Sequence, residues 1–437
     1  MFALKSERVV AKETERYFRL AVADSCFSPG AAINRGTLFA GRTDQIRRGI
    51  DAVFSRGTHA IIFGEAGVGK TSLANCLADF MPNPREEPDA EPLFLTPRVN
   101  CNSSSTYDAV WREVFRKINF TQQVQQAGFK ADPDVEIKNY ATFLPEKISP
   151  SDVQYLLELA ARKIRIIVVI DEFDKVLDAE TKNLMAHTIK ALSDHSVDAT
   201  ILIVGVGDTV DDLIAEHQSI QRCLREIAMP RMSLEDVRDL VKKGIRRFNS
   251  ECEDFPLDAS DDALTAVATL SRGMPHYAHL LAQQACCMAV ESNKNHISRE
   301  LVLDGMHRSL AAVEQSRLSL FLKATSSSHK NALYREVLTA AAITPADPLG
   351  FFSPGDVQKP LAEIAGRAIP MGTYMKHINE FVTEGRGPVL EKRGEAWRTR
   401  FRFCDPLMQP YVVMRALGDG KLNLGLILQT PTVAAAT

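Results

Sequence analysis

The residues with the clearest chemistry are Gly64, Glu65, Ala66, Gly67, Val68, Gly69, Lys70, Thr71 and Ser72, which read GEAGVGKTS and fit G-x-x-x-x-G-K-[ST]. An apolar run at 60–63 precedes them and the periodic stretch LANCLADF follows. Strand, glycine loop and helix is the order that phosphate recognition needs. Glycines let backbone N–H groups converge on the anion, and a helix N-terminus adds partial positive charge. Lys70 is expected to reach the β- and γ-phosphates of a nucleotide, and Thr71 to offer a hydroxyl to Mg2+. Farther on, the apolar run 164–170 ends in Asp171-Glu172. An acidic pair at the carboxyl end of a buried parallel strand lies on the edge where open α/β sheets bind ligands. Asp171 is expected to hold Mg2+, and Glu172 to polarise the water that attacks the γ-phosphate, since phosphoryl transfer asks for positioning and charge stabilisation. The bland alternatives are a coincidental glycine turn, and a helix N-cap with a first-turn acid.

Positioning these groups requires a particular kind of domain. From residue 38 to 232, the short runs HAIIFG, PLFLTPRVN, RIIVVIDE, ATILIVGVG and REIAMP alternate with longer periodic segments. Most of the runs lack apolar/polar alternation, which predicts strands buried on both faces of a parallel sheet in an α/β domain. A Pro/Glu-rich loop, MPNPREEPDAEP, and a polar stretch at 120–150 interrupt the pattern. Residues 1–37 read as an arm with one helical pattern at 13–23. Residues 233–325 carry only helical patterns, 326–417 form a third segment, and 418–437 are a tail.

Composition sets the outer limits. Forty-five per cent hydrophobic and 24% charged residues exclude disorder as the main state, and a net charge of -3 excludes a chain that is basic throughout. Eight cysteines without a CxxC pair predict reduced thiols and no zinc site. No apolar run reaches the length needed to cross a bilayer, and no leader pattern opens the chain, so the expected location is cytoplasmic without membrane contact.

Through GEAGVGKT and IIVVIDE, residues 30–415 resemble the AAA+ ATPases, specifically the branch of the origin-recognition initiators and the related STAND switch ATPases. The resemblance implies a P-loop AAA+ core with a parallel sheet, a helical lid and a C-terminal winged helix, with ATP and Mg2+ as ligands. It implies that Gly41 and Arg42 in LFAGRTDQIRRGI pack near adenine, although the usual acid after Gly-Arg is replaced by Thr43-Asp44-Gln45. ILIVGVGDT resembles the sensor strand, which selects Asp208, with Thr209 as second choice, to orient the attacking water; the alternative is an acid capping the helix DTVDDLIAEH. HQSIQRCLREIAMP resembles the segment that presents an arginine finger to a neighbouring subunit, which selects Arg222, with Arg225 nearby; a solvated helix arginine is the alternative. SRGMPHYAHLL resembles the lid's second sensor, where His276 stands in place of the family's arginine. A neutral imidazole supplies less positive charge than a guanidinium, so hydrolysis is expected to be slow. An ordinary partly buried histidine is the other reading.

In the third segment, FSPGDVQ carries an S-x-x-D cap with proline at the first helical position. A helix over 370–384 is predicted to bury Tyr374, Ile378, Phe381 and Val382. A hairpin then places Arg398, Arg400 and Arg402 on one strand face, with Trp397 near the turn. Helix, helix and basic hairpin spell a winged helix, which the resemblance also implies. Its two readings are DNA contact through Lys376, His377, Arg398, Arg400 and Arg402, and docking on a protein. The whole chain is thus expected to be an ATP-dependent switch that forms a homo-oligomer, with the arginine finger acting in trans, and that engages DNA or a protein client. The rival readings are a STAND-type signalling or defence switch that recruits a separate effector, and a non-hydrolysing ATP-dependent adaptor.

Overall fold

The computed structural model describes residues 2–429 apart from 34–35, 37–38, 82–93, 125–133, 163, 215–219, 313–314, 330–331 and 395–397. Most of the Pro/Glu-rich loop, His217, Trp397 and the end of the tail lie outside the described residues. The chain divides into two compact units, one of Ile33–Gly64 and Gly69–Met229, the other of Met1–Ala32, Glu65–Val68 and Pro230–Thr437. The second unit opens with α1 (Phe2–Ser25), longer than the pattern at 13–23 suggests.

In the first unit, α2 (Thr43–Phe54) precedes β1 (His59–Gly64), and α3 (Lys70–Cys76) follows the glycine loop. Next come β2 (Phe94–Leu95), β3 (Arg98–Asn100) and α4 (Tyr107–Arg116), with Thr106 accepting the Ala109 N–H as N-cap. The polar stretch at 120–150 holds a hairpin, β4 (Asn119–Val124) and β5 (Asp134–Asn139), before α5 (Pro150–Ala160). Its sequence is too polar to advertise strands, whereas Ser149 and Asp152 make a reciprocal capping box that starts α5. β6 (Arg165–Asp171), α6 (Ala179–Asp194), β7 (Ala199–Val206) and β8 (Leu224–Ala228) complete the unit.

The strands pair in the order β2-β6-β7-β1-β8, with β3 also on β6, and every pairing in this sheet is parallel. Each residue of β1, and all of β6 after Arg165, is buried, which is why these runs lack alternation. Trp111, Phe115, Leu157, Val168, Met185 and Ile201 belong to one buried cluster. Tertiary hydrogen bonds reinforce it: Thr181 Oγ1 accepts the Tyr107 N–H at 3.0 Å.

The second unit continues with α7 (Leu234–Glu251), α8 (Asp261–Leu270), α9 (Pro275–Glu291), α10 (Arg299–Ala312) and α11 (Gln315–Thr325). A short parallel bridge of β9 (Asp258–Ala259) with β10 (His296–Ile297) ties this helical region together. Then come α12 (Tyr334–Ile343), α13 (Gln358–Ala365), α14 (Met371–Glu380), the antiparallel pair β11 (Leu390–Arg393) and β12 (Arg400–Phe403), α15 (Met408–Gly418) and α16 (Leu424–Gln429). α14 ends sooner than the predicted 384, and Tyr374, Ile378 and Phe381 are buried as predicted, whereas Val382, beyond the helix, is only half-buried. Among the described residues no helix is long and apolar enough to cross a membrane.

Candidate nucleotide site

The phosphate-type loop has the backbone that its sequence asks for. β1 ends at Gly64, and Gly67 and Gly69 take φ of 80° and 97°, left-handed values that a side chain disfavours. Gly69 is the N-cap of α3, so Lys70 and Thr71 open that helix. Lys70 is buried, and its Nζ donates to the Gly64 carbonyl at 2.9 Å, which folds the side chain back along the loop. Thr71 is half-buried and Ala66 and Gly67 are exposed. The Ser72 hydroxyl accepts the Ile33 N–H at 3.0 Å, a structural contact that the sequence did not announce.

Asp171 closes β6 at the same carboxyl edge of the sheet as Gly64, since the register sets Ile170 beside Ile203 and Ile203 beside Ile61. It is 4% exposed, and its Oδ1 accepts the Glu172 N–H at 2.8 Å. Glu172 sits at φ 55° and projects a half-exposed carboxylate, whose Oε1 accepts from Lys175 Nζ at 2.7 Å. That hydrogen bond is the main reason the Lys175 ammonium holds its proton above the usual range. Arg98 is a second cation near the pair. Burial lowers its pKa and the Asp171 charge opposes the shift. Neither cation stood out in the sequence, although Lys175 lies three residues after Glu172, within reach on a single turn.

The other sequence-selected residues of this unit fare unevenly, and the register sets Arg222 and Arg225 at the opposite, amino edge of the sheet. Gly41 and Arg42 both have left-handed backbone, φ 62° and 61°, and Arg42 is the buried N-cap of α2. Asp208 is 8% exposed just beyond β7, but residues 208–214 form turns and not the helix that the alternative reading assumed. Asp212 Oδ2 accepts the N–H groups of both Asp208 and Thr209, at 2.8 and 2.9 Å, which closes the turn. A cavity of about 290 Å3 beside this turn is lined in part by Phe63, Asp208, Thr209, Ile220 and Glu226. Arg222 lies on a 3-10 turn (Gln221–Cys223) with a side chain 72% exposed, paired to Asp194 at 2.8 Å, and Arg225 is exposed on β8.

In the other unit, His276 stands in the first turn of α9, half-buried, with Nδ1 2.6 Å from the Pro29 carbonyl. That contact places the proton on Nδ1. Lys376 is exposed, while His377 is edge-on to the Tyr334 ring at 4.6 Å. Arg398 precedes β12 and is exposed, Arg400 pairs with Asp347 at 2.8 Å, and Arg402 pairs across the hairpin with Glu391.

The chain is similar to several solved structures. Cdc6p from Pyrobaculum aerophilum is 16% identical, with a TM-score of 0.43, covering 92% of this chain and 99% of that one. The Walker-type ATPase PABY2304 of Pyrococcus abyssi is 13% identical, with a TM-score of 0.47, covering 88% and 98%. The ORC1 protein of Aeropyrum pernix, solved in complex with DNA, is 16% identical, with a TM-score of 0.41, covering 88% and 94%. No curated protein matches the sequence. Residues 38–204 match the family model of the AAA ATPase domain, and this span holds the glycine loop, Lys70, Thr71 and the Asp171-Glu172 pair. Residues 38–204 are thus similar to the AAA ATPase domain, and the parallel sheet of this unit gives the chain an α/β fold.

Proposed function

We propose that the protein is an ATP-binding, slowly hydrolysing AAA+ switch of the origin-recognition-like branch, whose nucleotide state governs self-assembly and engagement of DNA or a protein client. The observation that carries this reading is the left-handed glycine loop at the end of β1, with Asp171 and Glu172 at the same sheet edge. Backbone amides at 65–70 and the Lys70 ammonium would bind the phosphates. A Mg2+ ion borne by the nucleotide would be held by the Thr71 hydroxyl and the Asp171 carboxylate, and would supply charge neutralisation at the phosphates. The donor set fits a hard cation, and among the described residues no group of three or more His, Cys, Asp and Glu offers a separate metal site.

Glu172 would orient a water and accept its proton, with Asp208 supporting the water's position. The Lys175 bond to Glu172 and the imidazole of His276 both favour slow turnover. The first of these also favours the second reading, a STAND-type switch in which ATP is bound and rarely cleaved. Arg222, exposed and held by a surface ion pair, suits a finger offered to a neighbouring copy. The helix–helix–hairpin segment of α13, α14, β11 and β12 supports a winged helix as the element that meets DNA or client.

Calorimetry with Mg-ATP tests the reading. Lys70→Ala should lose binding, whereas Glu172→Gln should keep it and lose turnover by about a hundredfold or more. Turnover per chain should rise with protein concentration and fall in Arg222→Ala. Undiminished binding by Lys70→Ala would end the proposal.

A further inference from the structure

An ion pair is buried in the second unit, and one partner belongs to the phosphate-binding loop. Glu65 is 5% exposed and Arg231 9%. The contact is a fork: Arg231 Nε donates to Glu65 Oε2 at 2.6 Å and the second terminal nitrogen, Nη2, donates to Oε1 at 3.0 Å. The remaining terminal nitrogen, Nη1, donates to Oε1 of Gln409, which is buried on α15. Gln409 in turn donates Nε2 to the Ala342 carbonyl near the end of α12, at 2.8 Å. The loop at Gly350 closes over the pair. A Cβ there would lie 2.2 Å from Glu65 Oε1 and 3.1 Å from Arg231 Nη2, and φ is 80°, so no side chain fits. On the other side of the loop, a Cβ at Gly67 would meet Met274 and Leu407 at 3.3 and 3.7 Å.

The chemistry of this cluster says what it is for. A buried ion pair is poor evidence for added stability, because desolvation offsets its attraction. What a bidentate guanidinium–carboxylate fork does supply is fixed geometry. Glu65 also poses an electrostatic problem, since a bare carboxylate in the loop would repel the phosphates its amides bind. A guanidinium hydrogen-bonded to that carboxylate at 2.6 Å cancels the charge.

We infer that Arg231 is a positioning residue for the phosphate-binding loop: by its fork on Glu65 and its bond to Gln409 it holds residues 65–68 in the nucleotide-competent conformation and couples nucleotide affinity to α15. The inference rests on the loop being the nucleotide site. Preorganisation raises affinity by removing the ordering that binding would otherwise require. By linkage, bound nucleotide must then stabilise the contacts of α15 in the same measure.

The test uses the full chain and two variants that leave neither member of the Glu65–Arg231 pair charged without the other. Glu65→Gln combined with Arg231→Met keeps volume and removes the fork, and Gln409→Met removes only the link to α15. Calorimetry with Mg-ATP should give about tenfold weaker binding for the first and about threefold for the second, at a thermal midpoint near that of the wild type. In hydrogen exchange, nucleotide should protect the amides of α15 in the wild type and not in Gln409→Met, a change that a merely structural role would not produce. Affinities within twofold of wild type in both folded variants, or unchanged α15 protection in Gln409→Met, would overturn the inference. Should the double variant fail to fold, Gln409→Met decides by the same measures. Lys70→Ala, measured alongside, separates the two claims: if it binds nucleotide normally, the site assignment itself falls, whereas lost binding leaves the outcome to the other variants.

Discussion

His59 and His279 are buried imidazoles whose ring nitrogens accept backbone hydrogen bonds, from Ile201 at 3.0 Å and Ser28 at 3.4 Å. Burial holds each near a pKa of about 4, against an ordinary 6.5, and for His279 the neighbouring His276 adds to the effect. Between those values the unfolded chain binds more protons than the folded one. Stability is therefore full above the ordinary value and falls as pH drops through the window towards 4. A shift of this size implies a loss of about 2 kcal/mol per histidine between pH 7 and pH 5. Urea denaturation at the two values should show the drop, and His279→Asn should remove its share. An unaltered pH dependence in that variant would contradict the assignment. His276, by contrast, is half-buried and keeps its Nδ1 on the Pro29 carbonyl, so the residue read as a sensor is also part of how the arm after α1 is held.

Among the elements, α7 shows how closely that arm is packed. A Cβ at Gly244 would lie 2.2 and 2.3 Å from the Phe27 ring, itself edge-on to His279 at 6.2 Å. Alanine at 244 gains about 1 kcal/mol of helix propensity but forces a buried ring to move, which costs about 1–3 kcal/mol. The expected net is a destabilisation of about 1 kcal/mol and a thermal midpoint lower by about 3 °C. A raised midpoint would mean the ring yields freely. Elements of this kind also mark what the sequence could convey. The buried strands were legible because a run such as RIIVVID has no polar face, and the glycine loop because its backbone needs fix residue types at fixed spacing. The hairpin β4–β5 was not, being too polar for its period to register. The turns at 208–214 were missed because the bonds that close them, from the Asp208 and Thr209 N–H groups to Asp212, would serve equally at the free N-terminal N–H groups of a helix. Glu65 was legible as a loop residue but not as half of an ion pair, since its partner is 166 residues away and no local pattern encodes it.

At the scale of the whole molecule, a net charge of -3 means that any hold on a polyanion must come from a local surface. Residues 386–402 carry six basic and two acidic side chains, a count that overstates what the folded segment presents. Arg386 lies 3.6 Å over the Tyr334 ring and donates to the Ala324 carbonyl, and Arg402 pairs with Glu391 and stands over Phe351 at 4.4 Å. Arg400 shares its charge with Asp347 but stays half exposed, and Lys392, Arg393 and Arg398 are exposed. Such a hairpin can neutralise about two or three phosphates, so DNA affinity through it should fall with salt at a logarithmic slope of about -2 to -3. Replacing Arg398 and Arg400 together by alanine should reduce that slope by about 2, uniformly across DNA sequences. Arg402→Ala should leave the slope unchanged and loosen the hairpin instead, because its charge is spent on Glu391. Fluorescence anisotropy with duplex DNA between 50 and 200 mM salt, about the range where phosphate contacts register most strongly, measures all three. Binding whose slope is the same in the double variant would take the hairpin out of DNA contact and assign this exposed basic face to a protein client with an acidic surface.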